Sequence, residues 1–412
     1  MKRSCFPGTH VTAALIFLGS VASAVTFTPK LTLPPVQYGA QSWAIPDSSG
    51  TYAGKSILAL SGQTPGGTLK TYIVWIESQS GVPGVAKIDS SSIPGIVFGQ
   101  VDWADYNRDG LLDLAISGRT VSATDTLAQD ITMVYRQYSD GSFRPEAAFP
   151  TGYGMDSTIV RWVDYDNDGD MDLFVSGRKR ILSLNPSTGK KEVTGESRLH
   201  AFRNDSPTPQ VTVFVRDTGV RSRVDQIIPV HDGDADWADI DGNGTPDLAI
   251  TGKSATFLQG NRVATEIVTE VYLNNPAGVF TRNVLTSLPP RYGGGIAWGD
   301  MNEDGLLDIA LSGYAKPADG GALTLEVWLH LGEGSFRKQA IQLDQRDAVA
   351  GRLAWMDVDN DGRFDLVAMG DSSATVSGIR LYRNNPDLTL SRISTSLPAL
   401  GDGAFSLGHL DT

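Results

Sequence analysis

The chain has 412 residues, is 41% apolar and 20% charged, and carries a formal net charge of −13. That apolar share suffices for a packed core, while an acidic chain with no basic face to neutralise phosphates excludes a nucleic-acid binder. Its only cysteine is Cys5, so no intrachain disulfide can staple the fold, and stability has to come from packing and from bound metal.

Lys2 and Arg3, the apolar stretch Val11 to Val21 and the small residues Ala22-Ser23-Ala24 form the pattern of a cleavable signal peptide over residues 1–24. The expectation is a mature start near Val25 and a secreted, periplasmic or extracellular protein. The apolar run is shorter than the ~20 residues that span a bilayer, so no membrane span is expected in the mature chain. Cys5 lies inside this segment.

Phe27 to Pro35 (FTPKLTLPP) resembles Phe280 to Pro290 (FTRNVLTSLPP) and is expected to be an outer strand that closes the fold. Trp43 then opens a weak first unit. Asp47 survives there, but the acid ladder of the later units is gone and Lys55 sits nearby, so no ion is expected in that unit.

Five near-copies of one motif follow: WADYNRDGLLDLAISG from Trp103, WVDYDNDGDMDLFVSG from Trp162, WADIDGNGTPDLAITG from Trp237, WGDMNEDGLLDIALSG from Trp298 and WMDVDNDGRFDLVAMG from Trp355. In each, oxygen ligands fall at positions 1, 3, 5 and 9, with a backbone carbonyl at position 7 and a glycine at position 6 that allows the sharp turn. The first cage is Asp105, Asn107, Asp109, Leu111 and Asp113. The second is Asp164, Asp166, Asp168, Asp170 and Asp172. The third is Asp239, Asp241, Asn243, Thr245 and Asp247. The fourth is Asp300, Asn302, Asp304, Leu306 and Asp308, and the fifth is Asp357, Asp359, Asp361, Arg363 and Asp365. The donors are all oxygen, which selects Ca²⁺ over transition metals. Plain Asp-Gly turns would not need acids at these four positions five times over, and carboxylates so close repel without a counter-ion. An EF-hand needs Glu at position 12 and a helix; here position 12 is Ile116, Val175, Ile250, Leu311 or Ala368, inside a strand-like run. About five structural calcium ions are expected.

The motif tryptophans are spaced 60, 59, 75, 61 and 57 residues apart, counting from Trp43. The long interval comes from an insertion between Ser176 and Leu199. An aromatic recurs after each motif (Trp75, Tyr135, Phe202, Tyr272, Trp328, Tyr382), often with Asn two residues later, and most units close on an apolar-Pro step such as Phe149-Pro150. Short strands, frequent Gly and Asn turns and a period near 60 read as an all-β propeller of four-stranded blades. At the far end, Ala404 to Thr412 resembles the start of another motif, with His409 and Asp411 at its positions 1 and 3. Joined to the N-terminal strand, it leads to an expected single domain over 25–412: six full repeats plus a truncated seventh, a seven-bladed propeller with its last blade incomplete.

These loops resemble the FG-GAP and VCBS repeats, the propeller type of integrin α-subunits. The resemblance implies structural calcium at the aspartates above and partners that engage loops on another face. It extends over adhesion proteins, lectins and lyases, so it does not fix the function. A non-catalytic adhesion or interaction scaffold for protein or glycan needs only a rigid frame and variable loops. The alternative is a carbohydrate-active enzyme of polysaccharide-lyase type, or a lectin, on the same frame. A lyase needs a base of near-neutral pKa, yet His200, His231, His330 and His409 share no equivalent position, and no nucleophile elbow or zinc motif is present. Binding is favoured over catalysis. The insertion from Arg178, with Arg178, Lys179, Arg180, Lys190 and Lys191, is either a solvated hairpin or a site for an anionic partner. The motif tryptophans are expected to pack between blades.

Overall fold

The computed structural model describes residues 37–44 and 55–393, apart from 80–81, 91, 122–127, 185–190, 218–225, 259–261, 342–349, 360 and 372–376. The signal segment, the stretch Phe27–Pro35, the first-unit turn around Asp47, and Ala404–Thr412 lie outside the described residues.

Six four-stranded antiparallel sheets follow one another, each built from four consecutive strands in simple order. Blade 1 comprises β1 (Gln37–Ala44), β2 (Ser56–Gln63), β3 (Leu69–Gln79) and β4 (Val82–Asp89). Blade 2 holds β5 (Val97–Ala104), β6 (Asp113–Val121), β7 (Ala128–Gln137) and β8 (Phe143–Pro145). Blade 3 holds β9 (Asp156–Val163), β10 (Asp172–Leu184), β11 (Lys191–Asn204) and β12 (Phe214–Arg216). Blade 4 holds β13 (His231–Ala238), β14 (Asp247–Leu258), β15 (Arg262–Asn274) and β16 (Phe280–Arg282). Blade 5 holds β17 (Ile296–Gly299), β18 (Asp308–Tyr314), β19 (Leu323–His330) and β20 (Phe336–Lys338). Blade 6 holds β21 (Ala350–Met356), β22 (Asp365–Asp371), β23 (Ser377–Asn384) and β24 (Leu390–Ile393). The first strands of successive blades lie side by side, which is the radial arrangement of a propeller.

The expected seventh, split blade is overturned: the propeller has six blades. Among the described residues each sheet is complete within one repeat, including the weak first repeat, and none takes a strand from a distant repeat. A blade is defined by four paired strands, and the described residues pair into six such sets.

The cores lie between the blades. Successive residues of β6 point to opposite faces: Leu114 and Ile116 join Ile57 and Trp75 of blade 1, whereas Ala115 joins Val160 and Trp162 of blade 3. The same division recurs at the boundaries of blades 3 and 4, 4 and 5, and 5 and 6. With both faces covered, the second strands read as continuous apolar runs rather than alternating ones. The motif tryptophans from Trp103 onward sit at these boundaries. Trp162 lies parallel to the Tyr106 ring of the preceding blade at 5.7 Å and donates its indole N–H to the Asp102 carbonyl. Trp298 repeats that bond to the Asp236 carbonyl.

The insertion in the third repeat is a continuation of β10 and β11, paired from Leu173–Phe202 out to Leu184–Lys191. Among the described residues no helix is long and apolar enough to cross a membrane.

Candidate metal centres

Each of the five expected loops joins the first strand of a blade to the second, so all five share one face of the propeller. Their backbones follow one plan. Asp109 N donates to Asp105 Oδ1 at 2.9 Å and Gly110 N to Asp105 Oδ2 at 2.8 Å, so both oxygens of the position 1 acid are held by the turn itself. Asp164, Asp239, Asp300 and Asp357 accept the same two bonds. The position 5 side chain accepts from the position 7 N–H in every loop: Leu111 to Asp109, Asp170 to Asp168, Thr245 to Asn243, Leu306 to Asp304 and Arg363 to Asp361.

Position 9 starts the second strand and is fully buried at Asp113, Asp172, Asp247, Asp308 and Asp365. One oxygen of each accepts a backbone N–H from the third strand: Gln137, Asn204, Asn274, His330 and Asn384, at 2.7 to 2.8 Å. Burial, reinforced by neighbouring loop acids, pushes the Asp172 carboxyl up to about 8 and those of Asp247, Asp308 and Asp365 up to about 6. A cation in the loop would relieve that cost.

The position 6 glycines take the left-handed backbone the turn requires, from φ 83° at Gly305 to 92° at Gly169 and Gly362. In the four loops where position 4 is described it is left-handed as well, and there the sequence is less obliging. Gly242 and Asn167 suit it, but Arg108 and Glu303 adopt φ of 58° and 59°, at a steric cost of roughly 1–2 kcal/mol. Both are used. Arg108 Nη1 pairs with Asp170 of the next loop at 2.6 Å, and Glu303 accepts from Arg363 of its next loop at 3.0 Å. Positions 4 and 7 of neighbouring loops are thus clasped twice, with the charges reversed.

The recurring third-strand Asn, noted in the sequence without a role, ties the loops into a belt. Its side-chain amide donates to the position 2 carbonyl of the preceding blade's loop: Asn204 to Tyr106 at 2.7 Å, Asn274 to Tyr165 at 2.8 Å and Asn384 to Met301 at 2.7 Å.

The donor set fits a hard divalent cation. It is all oxygen. The carboxylates of Asp164, Asp166 and Asp172, of Asp239, Asp241 and Asp247, and of Asp357, Asp359 and Asp361 each offer oxygens within 4.8 Å of one another. Asp113 Oδ2 and Asp359 Oδ1 are buried and accept no hydrogen bond. The loops at Asp105 and Asp300 place Asn107 and Asn302 at position 3.

Residues 121–175 and 239–311 match the family model described as FG-GAP-like repeat. FG-GAP-like repeats therefore sit within a β-propeller. No curated protein matches this chain by sequence. Among solved structures, it is similar to that of YjhT, at 11% identity and a TM-score of 0.47, covering 89% of this chain and 99% of that one. It is also similar to the V. cholerae biofilm matrix protein Bap1, at 10% identity and a TM-score of 0.29, covering 93% of each chain.

Two other charged sites lie away from the loops. The arginines of the β10 insertion are spent internally. Arg178 binds Asp156 through two nitrogens at 2.7 and 2.8 Å, Arg119 binds the same carboxylate, Arg180 meets Asp130 at 2.5 Å, and Lys179 reaches the Gly154 carbonyl at 3.3 Å. At the axis, Arg161 donates to Asp234 at 2.7 Å and to Gln100 at 2.7 Å, and Arg352 also pairs with Asp234. Blades 4 and 6 are not neighbours, so Asp234 and Arg352 meet across the central channel. No local sequence signal marks these residues as partners. Ser197 and His231 make a 2.8 Å contact, but both are buried and Ser197 also binds Ala255 N and the Lys253 carbonyl. That arrangement clamps blade 3 to blade 4.

Proposed function

We propose that this chain is an exported, calcium-stabilised, non-catalytic propeller that binds a protein or glycan partner through surfaces away from its metal loops. The observation that carries the metal half is the repeated loop frame: five identical hydrogen-bond patterns that present buried carboxylates, with Asp113 Oδ2 and Asp359 Oδ1 lacking any donor. Calcium supplies the positive charge these oxygens want, and the chain's part is to hold them in place. The sequence pattern of residues 1–24 supports export.

The binding half is supported by the opposite face. Strands β10 and β11 run for 13 and 14 residues, against 7 and 8 for β18 and β19. Six more residues at ~3.4 Å each raise blade 3 about 20 Å further, and β14 and β15 stand beside them with 12 and 13. A rigid frame carrying a raised wall suits recognition.

The test is thermal unfolding of the mature chain with calcium and after EGTA, with bound calcium counted per chain. About five ions and a large fall in Tm on chelation are expected. Full stability with no bound ion would refute the metal half. For the binding half, the calcium-loaded chain would be screened on acidic and neutral glycans, beside a variant with residues 181–194 replaced by a short turn. Equal capture by both would remove the wall from the interaction.

A further inference from the structure

The residue that follows the third-strand aromatic divides the loops into two kinds. In blades 2, 3 and 6 it is Arg136, Arg203 or Arg383; in blades 4 and 5 it is Leu273 or Leu329. The position lies beside the loop of its own blade, because the next backbone N–H is the one that binds the position 9 acid. Arg136 Nη2 reaches Asp109 Oδ2 at 3.0 Å, Arg203 lies 4.0 Å from Asp166, and Arg383 pairs with Asp359.

Loops with arginine are not all equal once their acids are counted. The blade 3 and blade 6 loops carry four carboxylates at positions 1, 3, 5 and 9 against one arginine each, and Arg203 is bonded mainly to Asp205 at 2.5 and 2.7 Å, so at least three acids exceed the arginine in both. The blade 4 and blade 5 loops carry three carboxylates and a leucine, so three remain there too. The blade 2 loop carries Asp105, Asp109 and Asp113, with Asn107 at position 3, and Arg136 reduces it to two. Arg108 adds no balance to this loop's acids because it is turned to Asp170. Blade 2 alone has an internal cation without an extra acid to offset it.

We propose that Arg136 is a built-in counter-ion that makes the blade 2 loop the weakest of the five calcium sites. This rests on the calcium reading above and deepens it. Calcium affinity in oxygen cages follows the number of ligand charges, and Arg136 bonds one of those ligands directly. It also donates to the Pro209 carbonyl of blade 3 at 3.2 Å, which anchors it between two blades. The loop therefore keeps a cation against only three carboxylates when calcium is scarce, whereas each of its four fellows retains at least three carboxylates beyond any arginine.

The experiment is a calorimetric titration of the mature chain with calcium alone, supported by an ion count at limiting free calcium. Four ions are expected to bind tightly and a fifth about tenfold or more weakly. Arg136→Leu installs the residue that blades 4 and 5 use, and it should merge the fifth ion with the other four. In the opposite direction, Leu273→Arg should create a second weak site, and this variant decides the matter if Arg136→Leu does not fold. Five ions of equal affinity, or a weak fifth ion that neither variant shifts, would overturn the role of Arg136 and leave the calcium reading standing. No calcium bound at any concentration would overturn the calcium reading itself.

Discussion

Two acid-rich regions of this propeller solve the same electrostatic problem differently. At the axis, Asp234 is 2% exposed and faces two guanidiniums, Arg161 and Arg352. Its charge is closed inside the protein by side chains from three blades. In the loop belt, 17 aspartates sit at ligand positions, and a few arginines touch only some of them. Backbone N–H groups satisfy the position 1 oxygens, yet those dipoles do not cancel the charge. Acidity is therefore a finished structural device at the axis and an unfinished one at the loops, where the proposed role of a cation from solution is to complete it.

The contrast can be broken in several ways. Withdrawing calcium should have the largest effect, since a site held at a hundredfold excess over its Kd contributes about 2.7 kcal/mol, and five such sites act together. Melting curves at fixed free calcium would measure it. Next comes Asp234→Ala, which strands Arg161 and Arg352 in the channel and should cost about 3–5 kcal/mol. Denaturant unfolding would show a loss that added calcium does not repair; a loss that calcium does repair would mean the axis and the belt are not independent.

A smaller effect is expected from Asn274→Ala. It removes the amide bond to the Tyr165 carbonyl and a second to Pro246, at about 1–3 kcal/mol, and it should also weaken calcium binding in the blade 3 loop. Calorimetry on that variant would read both. The smallest effect concerns histidines outside the belt. Burial pulls His200 and His231 down to about 4 from the ordinary 6.5. A histidine depressed in the folded state contributes stability that is fully present above about 6.5 and is lost as pH falls toward 4. His200, packed against Tyr153 and Phe202, can be replaced by leucine. The drop in Tm between pH 6.5 and 4 should then be shallower than in the parent chain, and an unchanged slope would exclude His200 as a contributor.

Much of this was legible in the sequence because it is local. A loop ligand set, its position 6 glycine and the strand that follows lie within about a dozen residues, so periodicity and spacing suffice to give the repeat, the four-stranded blade and the 25 expected loop positions. What failed was the count of blades. The echoes at Phe27–Pro35 and Ala404–Thr412 read as strands in the sequence and lie outside the described residues; a blade depends on pairing between segments, and among the described residues the pairing closes each of six sheets within its own repeat. The arginines from Arg178 show the same limit. As a sequence they are a basic run, and only the fold brings Asp130 and Asp156 against them.

The sequence by itself determined the loop chemistry, the blade length and the all-β class, since each is set by neighbours along the chain. Tertiary structure alone decided that Asp234 meets Arg352 across the axis, that Asn204, Asn274 and Asn384 stitch blades 3, 4 and 6 to the loop before each, and that Arg136 leans on Asp109. Those partners lie 27 to 118 residues apart, a distance over which only the closed packing of blades fixes who faces whom.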